Sequence, residues 1–314
     1  MYSIGIDIGA TNTDIGLVRM DGTIIGRENL PSQSFDKAGI YISAIIDKIR
    51  QLLADNDVRD LDGIGIGAPN GNYRTGCIEA NTANLRMKER IPLGTALEEA
   101  FHTNVKLDND ANAAALGEMV YGGAKGMQNF IMLTLGTGVG SGIVIDGKLL
   151  HGANGAAGEL GHAIVNPNGR QCSCGRRGCI EMYASARGIC QNYREEALKG
   201  DFPCSLTKEE LDAITCQYVG ESASKGDKIA QRAYDTTAYW LGIALANAAA
   251  FSEPEAIFLM GGPTRAGEAL MRPLQKYFEE NLLFLYKGKI KLQFSQLKSN
   301  ETAILGAAAL SSSI

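Results

Sequence analysis

The chain has 314 residues, enough for two domains of ordinary size, with 45% hydrophobic and 21% charged residues, the balance of a globular protein. A formal net charge of −5 argues against a nucleic-acid partner held by a basic face. The uncharged run 236–252 is Ala-rich and contains Asn247; it barely reaches spanning length, so a buried core helix is expected there and no membrane span.

Taken in chain order, residues 3–8 read as an apolar strand containing Asp7. Strands 14–19 and 23–30 follow, joined by Asp21-Gly22, a hairpin signal. Residues 38–53 carry Ile42, Ile45, Ile46, Ile49 and Leu52 at helical spacing. A second apolar strand, 61–68, closes at Pro69-Asn70-Gly71. A short helix (93–101), a strand (104–107) and a small-residue helix (111–121) complete this block. The next block opens with strands 129–135 and 142–145 and the turn Asp146-Gly147. Helices are predicted over 183–198, 207–215, 228–251, 266–281 and 301–310, with strands at 256–259 and 290–294.

Two glycine turns echo one another. Asp7-Ile8-Gly9-Ala10-Thr11-Asn12-Thr13 and Leu135-Gly136-Thr137-Gly138-Val139-Gly140-Ser141 both join apolar strands, the trace of a duplicated α/β domain with a boundary near residue 120. Glycines let backbone N–H groups approach an anion closely, and hydroxyls add donors. Singly, each turn reads as a tight hairpin. Together, and with Gly261-Gly262 after a buried strand, they suit a polyphosphate gripped from both sides. Neither turn is Gly-x4-Gly-Lys-Ser/Thr, and no Gly-x-Gly-x-x-Gly occurs, so P-loop and dinucleotide folds are unsupported. Asp7, beside the first turn, could hold Mg2+ against nucleotide phosphates, directly or through water. Asp110, in Asn109-Asp110-Ala111-Asn112, opens a helix. It either caps that helix or is the base that takes a proton from an attacking hydroxyl.

The densest cluster lies between Gly158 and Glu181. His162, Cys172, Cys174 and Cys179 fall within eighteen residues of a chain with three histidines in all, and three thiolates with one imidazole make a closed tetrahedral set for zinc. Glu159 and Glu181 bracket the set, so a structural zinc would fix two carboxylates for a polar ligand. Cys77, Cys190, Cys204 and Cys216 stand alone and read as small buried hydrophobes. An odd total of seven cysteines and no signal peptide point to a reduced, cytoplasmic chain rather than a disulfide framework.

These segments closely resemble the ROK family of bacterial sugar kinases, within the actin-like ATPase superfamily. The resemblance runs over essentially the whole chain, on the two glycine turns, Asn84-Leu85, Asn109-Asp110-Ala111-Asn112, Gly158–His162 and Cys172–Glu181. It implies an α/β fold of two actin-like (ribonuclease H-like) domains around an active-site cleft. The division would be 1–120 and 121–300, with the helix after residue 300 packing back on the first domain. It implies a cytoplasmic, homodimeric enzyme that moves the γ-phosphate of ATP to the 6-hydroxyl of glucose or a related hexose. Asp110 matches the catalytic base. Asn84, Asn109, Glu159, His162 and Glu181 match sugar contacts, His162 also ligating zinc with Cys172, Cys174 and Cys179. Gly9, Thr11, Gly136, Thr137, Gly261 and Gly262 match nucleotide positions. The first turn departs from the family's Gly-Gly-Thr-Lys, and the 86–90 segment lacks the Trp of glucokinase-like members. Kinases for N-acetylmannosamine, N-acetylglucosamine, allose or fructose are alternatives, as is a non-catalytic sugar sensor. With the first strand starting at Tyr2, no N-terminal helix-turn-helix is expected.

Overall fold

The structure, a computed structural model, describes residues 1–82, 85–298 and 301–311. The first half runs β1 (Tyr2–Ile8), β2 (Asn12–Arg19), β3 (Ile24–Pro31), α1 (Ala38–Asp55), β4 (Gly63–Ala68), a small hairpin β5 (Gly71–Asn72) and β6 (Cys77–Ile78), α2 (Leu93–Phe101), β7 (Val105–Asn109) and α3 (Asp110–Tyr121). The second half runs β8 (Phe130–Leu135), β9 (Val139–Ile145), β10 (Lys148–Leu149), α4 (Glu181–Ala184), α5 (Ala186–Lys199), α6 (Lys208–Asp212), α7 (Cys216–Ser224), α8 (Lys228–Ser252), β11 (Ala256–Gly261), α9 (Glu268–Asn281), β12 (Lys291–Phe294) and α10 (Thr302–Ser311).

The duplication expected from the two glycine turns is present in the sheets. One five-stranded sheet has the order β3-β2-β1-β4-β7, the other β10-β9-β8-β11-β12. In each, the first three strands in chain order pair antiparallel, and the next two are added parallel to the first. Each half has its own apolar core. One contains Ile4, Ile6, Ile45, Ile64 and Ile66; the other contains Leu133, Leu241, Leu245, Leu259 and Phe278.

Strand alternation explains how helices seat on the first sheet. Ile4, Ile6, Ile64 and Ile66 are fully buried in the core shared with α1. Gly5 and Gly65 alternate with them. A Cβ on Gly5 would lie 2.2 Å from Ile304 O and one on Gly65 1.8 Å from Ala307 O, so α10 rests directly on the backbone of β1 and β4. Helix α3 is a layer between the sheets. A Cβ on Gly142 of β9 would meet Ala115 Cβ at 2.7 Å, and one on Gly117 would meet Gly306 Cα of α10 at 2.8 Å. Small residues in α3 and α10 are what permit these approaches.

Several boundaries differ from the sequence expectation, for local reasons. The strand at 104–107 continues to Asn109, which caps α3 through its own side chain. The helix expected over 183–198 is broken at Ser185, extended at φ −71° and ψ 165°, whose hydroxyl accepts from Gly188 N. The helix expected over 207–215 shrinks to α6. Helix α7, absent from the sequence reading, then starts behind a Thr215 cap. Gly267 at φ +56° separates a 3₁₀ turn at Gly262–Ala266 from α9. The Ala-rich 236–252 run lies inside α8, against the second core; among the described residues no helix is long and apolar enough to cross a membrane.

Candidate active site

Asp110 is the first residue of α3, at the C-terminal edge of the parallel strands β1, β4 and β7. Asn109 takes the N-cap and accepts from Ala111 N at 2.9 Å; Asp110 Oδ1 accepts from the same N–H at 2.8 Å. Capping therefore falls mainly to Asn109. Asp110 is reached by solvent through the cleft but has protein on its other sides, and this desolvation holds its carboxyl above the ordinary range. Asp7 lies across the bare Gly67: a Cβ there would be 3.6 Å from Asp110 Cα and 3.9 Å from Asp7 Oδ1. Burial first, then the charges of Asp110 and Asp14, push Asp7 up to about 7. A hard cation with oxygen ligands suits such a group, and Asp7 fits the Mg2+ role on that ground.

A cavity of about 240 Å3 opens beside Asp110. Asn109, Asp110 and Glu159 line it, joined by Asn70 and Asn72 of the small hairpin and Asn154 of the loop after β10. The asparagines were missed in the sequence; only the turn signal at Asn70-Gly71 hinted at them. Glu181 and His162 are not in the lining. Glu181 Oε2 accepts from Val139 N at 3.1 Å, in the second glycine turn, and His162 faces the cysteines. Asn84 lies outside the described residues.

A second cavity, about 700 Å3, lies on the other half. Gly136, Thr137 and Gly262 line it together with Gln217, Gly220 and Ser224 of α7, the helix the sequence did not disclose. Its volume falls in the range of small-molecule sites. Gly261 belongs to the backbone beneath it. At φ +107°, with a Cβ position 2.0 Å from Leu135 O, only glycine fits there. Gly9 and Thr11 sit in the matching turn of the first sheet, closed by Gly9 N donating to Asn12 O at 2.8 Å.

His162, Cys172, Cys174 and Cys179 converge, each offering one donor atom and all four within 4.8 Å of one another. His162 Nδ1 and Cys172 Sγ are 3.7 Å apart, and Cys174 Sγ and Cys179 Sγ 3.6 Å. A tetrahedral zinc with bonds near 2.3 Å would set sulfur–sulfur edges of about 3.8 Å, whereas a disulfide needs about 2.05 Å. The thiols are free, and the set fits zinc. Gly178 at φ +73°, whose Cβ would lie 1.6 Å from Asn166 O, lets the loop close. Ile180 N donates to Ala163 O at 2.9 Å, so the loop ties the Glu159–His162 segment to the start of α4 and Glu181.

The ROK family profile matches residues 3–314. A glucokinase of Halalkalibacterium halodurans is 35% identical, the alignment covering 97% of this chain and 93% of that protein. A ROK family glucokinase from Streptomyces griseus, solved with glucose and AMPPNP, is 31% identical over 99% of both chains, with a TM-score of 0.77. A xylose repressor of Caldicellulosiruptor bescii is 29% identical over 98% of this chain and 77% of its own.

Proposed function

We propose, for a chain that belongs to the ROK family and has its two-domain actin-like fold, that it is an ATP-dependent hexose kinase acting on the 6-hydroxyl of glucose or a close relative. The observation that carries this reading is Asp110. Its carboxylate lines a polar, sugar-sized cavity and faces Asp7 across Gly67, at the strand end that leads into the first glycine turn, and desolvation on its protein side makes it more basic. The chain is divided in this reading at 1–120 and 121–300, with α10 counted in the first, and the separate cores of the two halves support that division.

In this reading Asp110 accepts the proton of the attacking hydroxyl. Asn109 and Glu159 hold ring hydroxyls. Glu181 and His162 join them from the zinc-braced loop, and Asn84 from the segment before Leu85. Backbone N–H groups of the 9–12 and 136–138 turns, with Thr11 and Thr137, orient the phosphates in line. Gly261-Gly262 lets the nucleotide approach the strand end. Mg2+ held at Asp7 would offset phosphate charge, and zinc on His162 and the three cysteines would be structural. A cytoplasmic setting, where thiols stay reduced, and a homodimer complete the reading.

A sugar sensor would need only the first cavity. Retention of Asp110 and of both turns supports catalysis over sensing. The deciding experiment is a coupled kinase assay on glucose, mannose, allose, fructose, N-acetylglucosamine and N-acetylmannosamine. Glucose should give the highest kcat/KM, because two fixed carboxylates suit adjacent free hydroxyls. An N-acetylated sugar ahead by tenfold would overturn the glucose assignment and keep the kinase. No ATP consumption with any sugar would overturn the kinase.

A further inference from the structure

One polar contact between the halves has no part in the chemistry above. Asp108, only 2% exposed, immediately precedes Asn109-Asp110. Its Oδ1 accepts from Asn109 N at 2.7 Å and from Asn112 Nδ2 at 2.8 Å. Its Oδ2 accepts from His151 Nε2 at 2.6 Å. His151 comes from the other half, at the start of the loop whose Asn154 to Glu159 stretch walls the sugar cavity. The imidazole also stacks on Tyr73, ring centroids 3.7 Å apart at 22°. Tyr73 follows Asn70, Gly71 and Asn72, which form the facing wall. Arg74 adds a third strap, lying 5.4 Å over the Tyr73 ring and donating from Nη2 to Gly152 O at 3.4 Å.

We infer that His151 is a positioning residue for sugar phosphorylation. It clamps both walls of the hexose cavity and, through Asp108, the backbone that carries the base. The physical case is one of connectivity. Asp108 anchors the strand-to-helix corner at Asn109, and a nearly buried carboxylate oxygen that loses its donor must find another by moving. Movement of that corner is movement of Asp110. The stack on Tyr73 transmits the same constraint to the hairpin. Displacements of about 1 Å at a reacting group cost on the order of 100-fold in rate. The nucleotide cavity shares none of these residues, so its affinity is insulated.

The inference rests on the hexose-kinase reading, and the test separates the two. His151→Phe keeps the flat ring and loses the donor; His151→Gln keeps an N–H donor and loses the stack. Steady-state kinetics on the preferred sugar should show His151→Phe with sugar KM raised at least tenfold and kcat lowered, while KM for ATP stays within twofold. His151→Gln should recover most of kcat. Tyr73→Leu, which leaves Asp108 paired, should raise sugar KM with little change in kcat, and it serves if His151→Phe does not fold. An active wild type whose His151→Phe and Tyr73→Leu forms keep sugar KM within twofold overturns the assignment. So does a rise in ATP KM in step with that of the sugar, the mark of general loosening. A wild type that phosphorylates no hexose removes the kinase reading, and this one with it.

Discussion

Asp7 offers a prediction whose size follows from its surroundings. Burial, with Asp110 and Asp14 nearby, raises its carboxyl from 3.8 to about 7 in the folded protein. The unfolded chain releases the same proton near the ordinary value. Between those two values the folded state binds more protons than the unfolded one, so stability is complete below the lower value and is lost as pH rises through the upper. The difference between 3.8 and about 7, at about 1.4 kcal/mol per pH unit, gives a ceiling of about 4 kcal/mol once both states are ionised. Water in the cleft screens part of the like-charge repulsion, so about 2–4 kcal/mol is expected at pH 8 and under about 2 kcal/mol at pH 5. Asp7→Asn keeps the shape and removes the charge. Urea unfolding without nucleotide or divalent cation should find the variant more stable by these amounts, with the gain larger at pH 8. The same variant should lose phosphoryl transfer, trading activity for stability. A gain equal at both pH values, or none at pH 8, would refute the reasoning.

Asp110→Asn should lower turnover by about 10²–10⁴-fold while direct titration finds sugar affinity changed far less, because the amide still hydrogen-bonds. Wild-type kcat should rise with pH as Asp110 deprotonates, its apparent pKa above the ordinary carboxylate range; an acidic limb of kcat at or below that ordinary range contradicts this. Cys174→Ser should release zinc, seen by elemental analysis, and lower activity through the loop bearing Glu159 and Glu181; fully active metal-free protein would exclude the structural role. Gly261→Ala should cost on the order of 1–3 kcal/mol and raise KM for ATP more than for sugar, since its side chain has no room against Leu135 O.

Much of this was legible in the chain because the relevant signals are local. Period-2 apolar runs marked the central strands, and the paired glycine turns marked a duplication that the sheets then displayed in full. The four residues that converge as a candidate metal site sit close in sequence, so their convergence needed only a short loop. What escaped is long-range or carried by ordinary residues. Helix α7 begins at Cys216 with weak patterning, and its place in the second cavity depends on packing against α5 and the 262–266 turn. Asn70, Asn72 and Asn154 come from different halves and reach one cavity only through tertiary structure. The His151–Asp108 bond spans 43 residues with no local cue. The break at Ser185 was missed because a single cap competes on equal terms with helix continuation.

The seat of α10 on β1 and β4 has a consequence for how the chain is made. During translation the first sheet emerges early, but the face presented by Gly5 and Gly65 stays uncovered until residues 302–311 have been added. Nearly two hundred residues of the second half lie between. The core of the second half, which runs to Ile290, can therefore form before α10 is available to cover that face of the first sheet. The nascent chain carries an open, glycine-lined strand face through most of its synthesis, although the opposite face of the same sheet can pack on α1 early.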